Sequence, residues 1–148
     1  MRDRLWILLL AFAAVVFLQV APKSRGASIA MTAAAYDGVS REMYDCSAYV
    51  QKVYADCGIE IPRTSYDQAA SGNKIFSADL SELRAGDIIC FGSEPGAENI
   101  THVGIYDGDG RVWHSSSSEG RIKADDLEEW IGNGYEPPYR FAVRILPE

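Results

Sequence analysis

Hydrophobic positions fall into two regimes along this chain. From Leu5 to Leu18 they form a run that no polar residue interrupts, whereas beyond Ala34 they recur at spacings that select helices or strands. Cys46, Tyr49, Val50, Val53, Tyr54 and Cys57 repeat at three- and four-residue intervals, which is the one-face pattern of an α-helix. Asp45 stands directly before that pattern as a capping residue, and Gly58 follows it as a residue that ends helices in the left-handed region. Ser65 and Gln68 have the spacing of a capping box, so a second, short helix is expected there, stopped by Gly72.

The pattern then changes period. Ile88-Ile89-Cys90-Phe91, bounded by Gly86 and Gly92, reads as a buried strand. Thr101 to Tyr106 and Arg111 to Ser115 flank the turn-rich Asp107-Gly108-Asp109-Gly110 and predict an antiparallel hairpin. Arg121 to Lys123 and Tyr139 to Ile145 are two further strands, the latter alternating Phe141, Val143 and Ile145 with Arg140, Ala142 and Arg144. Between them Asp125 or Asp126 caps a short helix carrying Leu127, Trp130 and Ile131, ended by Gly132. A helical first half followed by strands without βαβ alternation predicts an α+β fold, with N-terminal helices packed on an antiparallel sheet.

The first regime has the parts of an export signal. Arg2 and Arg4 precede the apolar run, and Ser28-Ile29-Ala30 supplies small residues for cleavage after Ala30. Val20 and Ala21 lengthen the run toward a marginal membrane span, so residues 1–30 are read as a cleaved signal peptide or a retained anchor. The folded domain is assigned to residues 31–148, and the protein is expected to be exported, secreted or held at the cell envelope. Four of the 14 basic and one of the 21 acidic residues lie in 1–30, which leaves ten against twenty in the remainder. That balance excludes nucleic acid as the expected partner, because phosphate contacts need clustered Lys and Arg. A monomer is expected.

Candidate chemistry begins with an odd number of cysteines, Cys46, Cys57 and Cys90. A thiol in the first turn of a helix faces the positive end of the macrodipole, which favours thiolate, and Cys46 occupies that place. Cys57 and Cys90 either bridge or stay free and buried, the nucleophile being free in both cases. The only two histidines, His102 and His114, fall on the same hairpin. A three-residue loop, Asp107 to Asp109, would pair Tyr106 with Gly110 and set the two imidazoles opposite each other on one face, with Gly108 and Gly110 easing the turn. A cysteine with two histidines could instead hold zinc, with water in the fourth position. A non-catalytic binding domain is a third reading.

Four segments in order give the chain a resemblance to the NlpC-type family of cell-wall cysteine peptidases. They are Asp45-Cys46-Ser47; Gly58-Ile59 with Ile61-Pro62-Arg63-Thr64-Ser65 and Gln68; Leu83 with Gly86-Asp87; and His102-Val103-Gly104-Ile105-Tyr106 with His114. The resemblance implies a papain-like fold, Cys46 as nucleophile, His102 as base and His114 as the residue that orients it. It implies peptidoglycan stem peptides as substrates, cut between γ-D-glutamyl and a diamino acid, with no metal and no cofactor. Asp45, Ser47 and Tyr36 become candidate substrate contacts, although a capping role competes at Asp45. Ala48 stands where the family commonly has glycine, and the segment before the cysteine is reduced to Tyr36-Asp37-Gly38.

Overall fold

The computed structural model describes residues 24–77 and 79–147. Among the described residues the first element is a helix, α1 (Arg25–Ala34), whose N-cap Ser24 accepts a hydrogen bond from the Ala27 amide at 3.1 Å. Ile29 and Ala33 of this helix are completely buried, and the Tyr49 hydroxyl donates to the Ala33 carbonyl at 2.8 Å. At Gly26 the helix backbone lies so close to the chain at Ala85 that a Cβ would collide with the Ala85 carbonyl oxygen. Residue 31, where the sequence reading begins the domain, is therefore inside an element that starts at Arg25. The apolar run of residues 5–18 lies outside the described residues.

Helix α2 (Cys46–Asp56) forms as its periodicity predicts, with Cys46, Tyr49, Val50, Val53 and Tyr54 buried. Gly58 takes φ +77°, as a left-handed helix end requires. In α3 (Ser65–Ala69) the structure corrects the cap: Thr64 accepts from the Asp67 amide, and Gln68 does not return to the helix start. Gln68 is instead fully buried and donates to the Ser47 and Pro62 carbonyls at 2.9 and 2.8 Å, tying α3 to α2.

Six strands follow: β1 (Asn73–Ile75), β2 (Ile88–Gly92), β3 (Ile100–Tyr106), β4 (Arg111–Ser115), β5 (Ile122–Asp126) and β6 (Tyr139–Arg144). They pair antiparallel in the order β1-β6-β2-β3-β4-β5. Helices α1 to α3 cover one face through Ile88, Cys90, Val103, Ile105, Phe141 and Val143. The other face holds Ile89, Phe91, Tyr106, Val112 and Ala142 against α4 (Leu127–Asn133). This two-sided cover explains why β2 reads as a continuous apolar run rather than an alternation. The buried Asp87 at its start is paired twice by Arg144, at 2.9 and 2.7 Å.

The hairpin register differs from the expected one by two residues. Gly104, not His102, lies opposite His114, and Tyr106 pairs with Val112 rather than Gly110. The cause is Asp107, whose carboxylate accepts the amides of Asp109 and Arg111 at 2.7 and 3.0 Å and so builds a longer turn. Gly108 and Gly110 both take φ +88° in it. A shift of two keeps the strand parity, so both histidines still face the same side.

Candidate active site

Cys46 is the first residue of α2, and its cap Asp45 accepts from the Ala48 amide at 2.8 Å. The β3–β4 ladder runs only from Gly104 to Tyr106 on the β3 side, so the edge of β3 at Thr101 and Val103 is left open toward β4. The sulfur of Cys46 lies 3.9 Å from the Thr101 carbonyl oxygen and within reach of the Val103 amide. These two residues flank His102. Cys46 thus comes from the α1–α3 side of the sheet, and its sulfur lies against the backbone on either side of His102.

His102 and His114 are 8% and 3% exposed, and His102 Nε2 lies 2.9 Å from His114 Nδ1. On its far side His114 Nε2 meets Asp125 Oδ2 at 2.8 Å, while Asp125 Oδ1 takes Lys123 Nζ at 2.7 Å. Trp130 packs over both imidazoles, stacked on His102 at 6.2 Å between ring centroids and edge-on to His114 at 5.1 Å. Its indole N–H is anchored on the Pro137 carbonyl at 3.1 Å. Phe91 completes the wall, 4.4 Å from Trp130 and 5.8 Å from His102.

Burial decides the charge states. It pushes His102 down to about 3, helped by the neighbouring His114 and by Arg41, so the imidazole is neutral. His114 is also lowered by burial, with Asp125 opposing. Cys46 is raised by burial and by the Asp45 charge, against the pull of the Val103 amide and Arg41. Burial and Asp45 thus work against the thiolate expected at Cys46, while the Val103 amide and Arg41 favour it.

The candidate substrate contacts divide. Asp45 and Ser47 adjoin Cys46 in the chain and are bridged by Arg63, whose two nitrogens reach Ser47 Oγ and Asp45 Oδ2 at 2.9 Å each. The Arg63 hydrogen bond holds the Asp45 carboxyl below its ordinary value. Tyr36 is not brought to the sulfur: its hydroxyl binds Asp56 at the opposite end of α2, about 15 Å along the helix from Cys46. Its ring packs edge-on against Tyr44 and Tyr49. Two groups were missed from sequence. Asp125 was read as a possible cap, and Asp126 takes that role by accepting from Glu129; Trp130 was read only as an apolar helix position.

All three cysteines are free, so the Cys57 to Cys90 bridge does not form; Cys57 instead contacts the Thr32 hydroxyl at 3.4 Å. Among the described residues no three His, Cys, Asp or Glu side chains are arranged to hold a metal ion. An open cleft of about 520 Å³ borders the histidines, lined by His114, Asp125, Glu129, Trp130 and Pro137 among others.

Comparison with known proteins finds similar chains and similar folds. The chain is 34% identical over 110 residues to a gamma-D-glutamyl-L-lysine dipeptidyl-peptidase of Bacillus cereus, covering 74% of this chain and 31% of that protein. It is 36% identical over 110 residues to the murein DD-endopeptidase MepS/murein LD-carboxypeptidase of Escherichia coli, covering 74% and 53%. The chain thus spans about a third to a half of the length of these relatives. The structure of NlpC2 from Trichomonas vaginalis superposes with a TM-score of 0.71 at 27% identity, over 88% of this chain and 49% of that one. The α+β, papain-like architecture expected from sequence is thereby borne out. With the NlpC/P60 family model matching residues 33–136, a stretch that holds Cys46, both histidines, Asp125 and Trp130, the chain belongs to the NlpC/P60 family.

Proposed function

We propose that this domain is a cysteine peptidase that hydrolyses peptide bonds in peptidoglycan stem peptides, at the bond from γ-D-glutamyl to a diamino acid. The observation that carries the reading is the Cys46 sulfur at a helix start, against the backbone on either side of a neutral, hydrogen-bonded His102. The relatives named for γ-D-glutamyl-L-lysine and murein bonds supply the substrate class.

In this reaction the neutral His102 accepts the Cys46 proton as the thiol attacks the substrate carbonyl, forming a C–S bond. The negative oxygen of the tetrahedral intermediate is met by backbone N–H groups at the α2 start, including that of Cys46. His102 returns the proton to the leaving amine as the C–N bond breaks. Water, deprotonated by His102, then cleaves the thioester and restores the thiol. Trp130 and Phe91 keep bulk water from the imidazoles while this occurs.

We further infer that the domain acts outside the cytoplasm, exported by the basic start and the apolar run of residues 5–18. Digestion of purified peptidoglycan by the protein and by Cys46→Ala, followed by mass analysis, tests the activity. Fragments with new γ-D-glutamyl carboxyl termini, absent with the variant, are expected. Identical fragments from both proteins, or none from either, would reject it.

A further inference from the structure

Asp125, His114 and His102 form a chain in which each hydrogen bond dictates the next. Burial pulls the Asp125 carboxyl up, but hydrogen bonds from Lys123 and His114 outweigh it and hold the group below its ordinary value, hence ionised. An ionised carboxylate only accepts, so across the 2.8 Å contact the proton sits on His114 Nε2. A neutral imidazole has one N–H, which leaves a lone pair on His114 Nδ1. Its partner at 2.9 Å, His102 Nε2, must then donate. His102 is left with its lone pair on Nδ1, the nitrogen free to take a proton from Cys46.

We propose that Asp125 is a positioning residue that fixes the tautomers of both histidines through these two hydrogen bonds, so that His102 presents a basic Nδ1 to the nucleophile. Without Asp125 the opposite arrangement becomes equally allowed: His114 Nδ1–H donates to His102 Nε2, and His102 carries its proton on Nδ1. In that form it cannot accept the thiol proton. Lys123, itself bound to Glu119, keeps the carboxylate charged and directs its other oxygen away, leaving Oδ2 for His114. The proposal rests on the peptidase reading for its consequence but not for its test.

Because the chain has two histidines, long-range ¹H–¹⁵N correlation of the ¹⁵N-histidine full-length protein in mild detergent at pH 7 resolves both rings. Both are expected in the Nε2–H form. In Asp125→Ala a mixture with the Nδ1–H form is expected, with kcat lower by roughly 100-fold and KM nearly unchanged. A wild-type His102 protonated on Nδ1, or unchanged tautomers in a folded Asp125→Ala, would overturn the proposal. If the alanine variant does not fold, the wild-type spectrum still decides. An inactive wild-type protein with both rings in the Nε2–H form would sink the peptidase reading and leave this inference standing; an active one with Nδ1–H on His102 would do the reverse.

Discussion

His114 reaches His102 diagonally: its cross-strand partner is Gly104, yet its Nδ1 lies 2.9 Å from Nε2 of the histidine two residues earlier. The lean is possible because Gly104 presents no side chain on that face. A Cβ there would stand 2.6 Å from Val112 Cγ2, 2.8 Å from the Trp113 carbonyl oxygen and 3.1 Å from His114 Cβ.

Gly104→Ala should therefore push His114 from its place while leaving Cys46 untouched. We expect kcat to fall by at least about 10-fold, with a stability loss of about 1–3 kcal/mol from overpacking. Steady-state kinetics and a urea titration measure the two effects. Wild-type kinetics in this variant would show that the close approach is not needed.

Cys46→Ala should abolish hydrolysis and keep the fold. Its side chain is one small member of a core dominated by Tyr49, Val50, Val53 and Tyr54, so the thermal midpoint should fall by only a few degrees, on the order of 1 kcal/mol. Residual turnover above a few per cent would remove the nucleophile assignment.

Asp45 has two separable roles. Asp45→Ala loses the cap on α2 and should cost about 1 kcal/mol, whereas Asp45→Asn keeps a capping oxygen and most of that stability. If the carboxylate also receives a substrate ammonium, Asp45→Asn raises KM with little change in melting. An unchanged KM assigns Asp45 to capping alone.

The depressed titration of His102 makes stability depend on pH. Its unfolded form protonates near 6.5, while the folded form resists protonation down to about 3. More protons are then bound by the unfolded chain across that window, so stability is full above about pH 6.5 and declines as pH falls toward 3. Urea midpoints at pH 7 and pH 5 should show the decline, and His102→Gln should reduce it. An equal decline in the variant would place its source in other groups.

Three thiols should react under denaturing, non-reducing conditions, because Cys46, Cys57 and Cys90 are all free. A count of one would show a bridge that this fold does not contain.

The parts that sequence made legible are those where one local rule suffices. Asp45, the α2 periodicity and Gly58 agree on a single helix, and Cys46 lies at its start. Hairpin existence was equally plain, but its register depended on which amides the Asp107 side chain would take, a choice no spacing rule makes. Asp125 and Asp126 are adjacent and chemically alike; only the strand parity of β5 sends one to His114 and the other to the helix cap. Strand β1, three residues with Asn73 and Lys74 exposed, has no apolar pattern to announce it. Helix α1 is hidden in the sequence by its nearness to the apolar run of residues 5–18, whose composition claims residues 25–30 as well.

That helix also limits where the chain can be severed. A product beginning at Met31 would lack the Ser24 cap, the Gly26 contact and Ile29, whose loss alone removes a fully buried side chain worth about 2–4 kcal/mol. A cut before Ser24 would keep all three in place. Should the apolar run stay in a bilayer instead, Ala21 stands only three residues from that cap, so there is almost no leash. The reach of the domain from the bilayer would then be set by its own width.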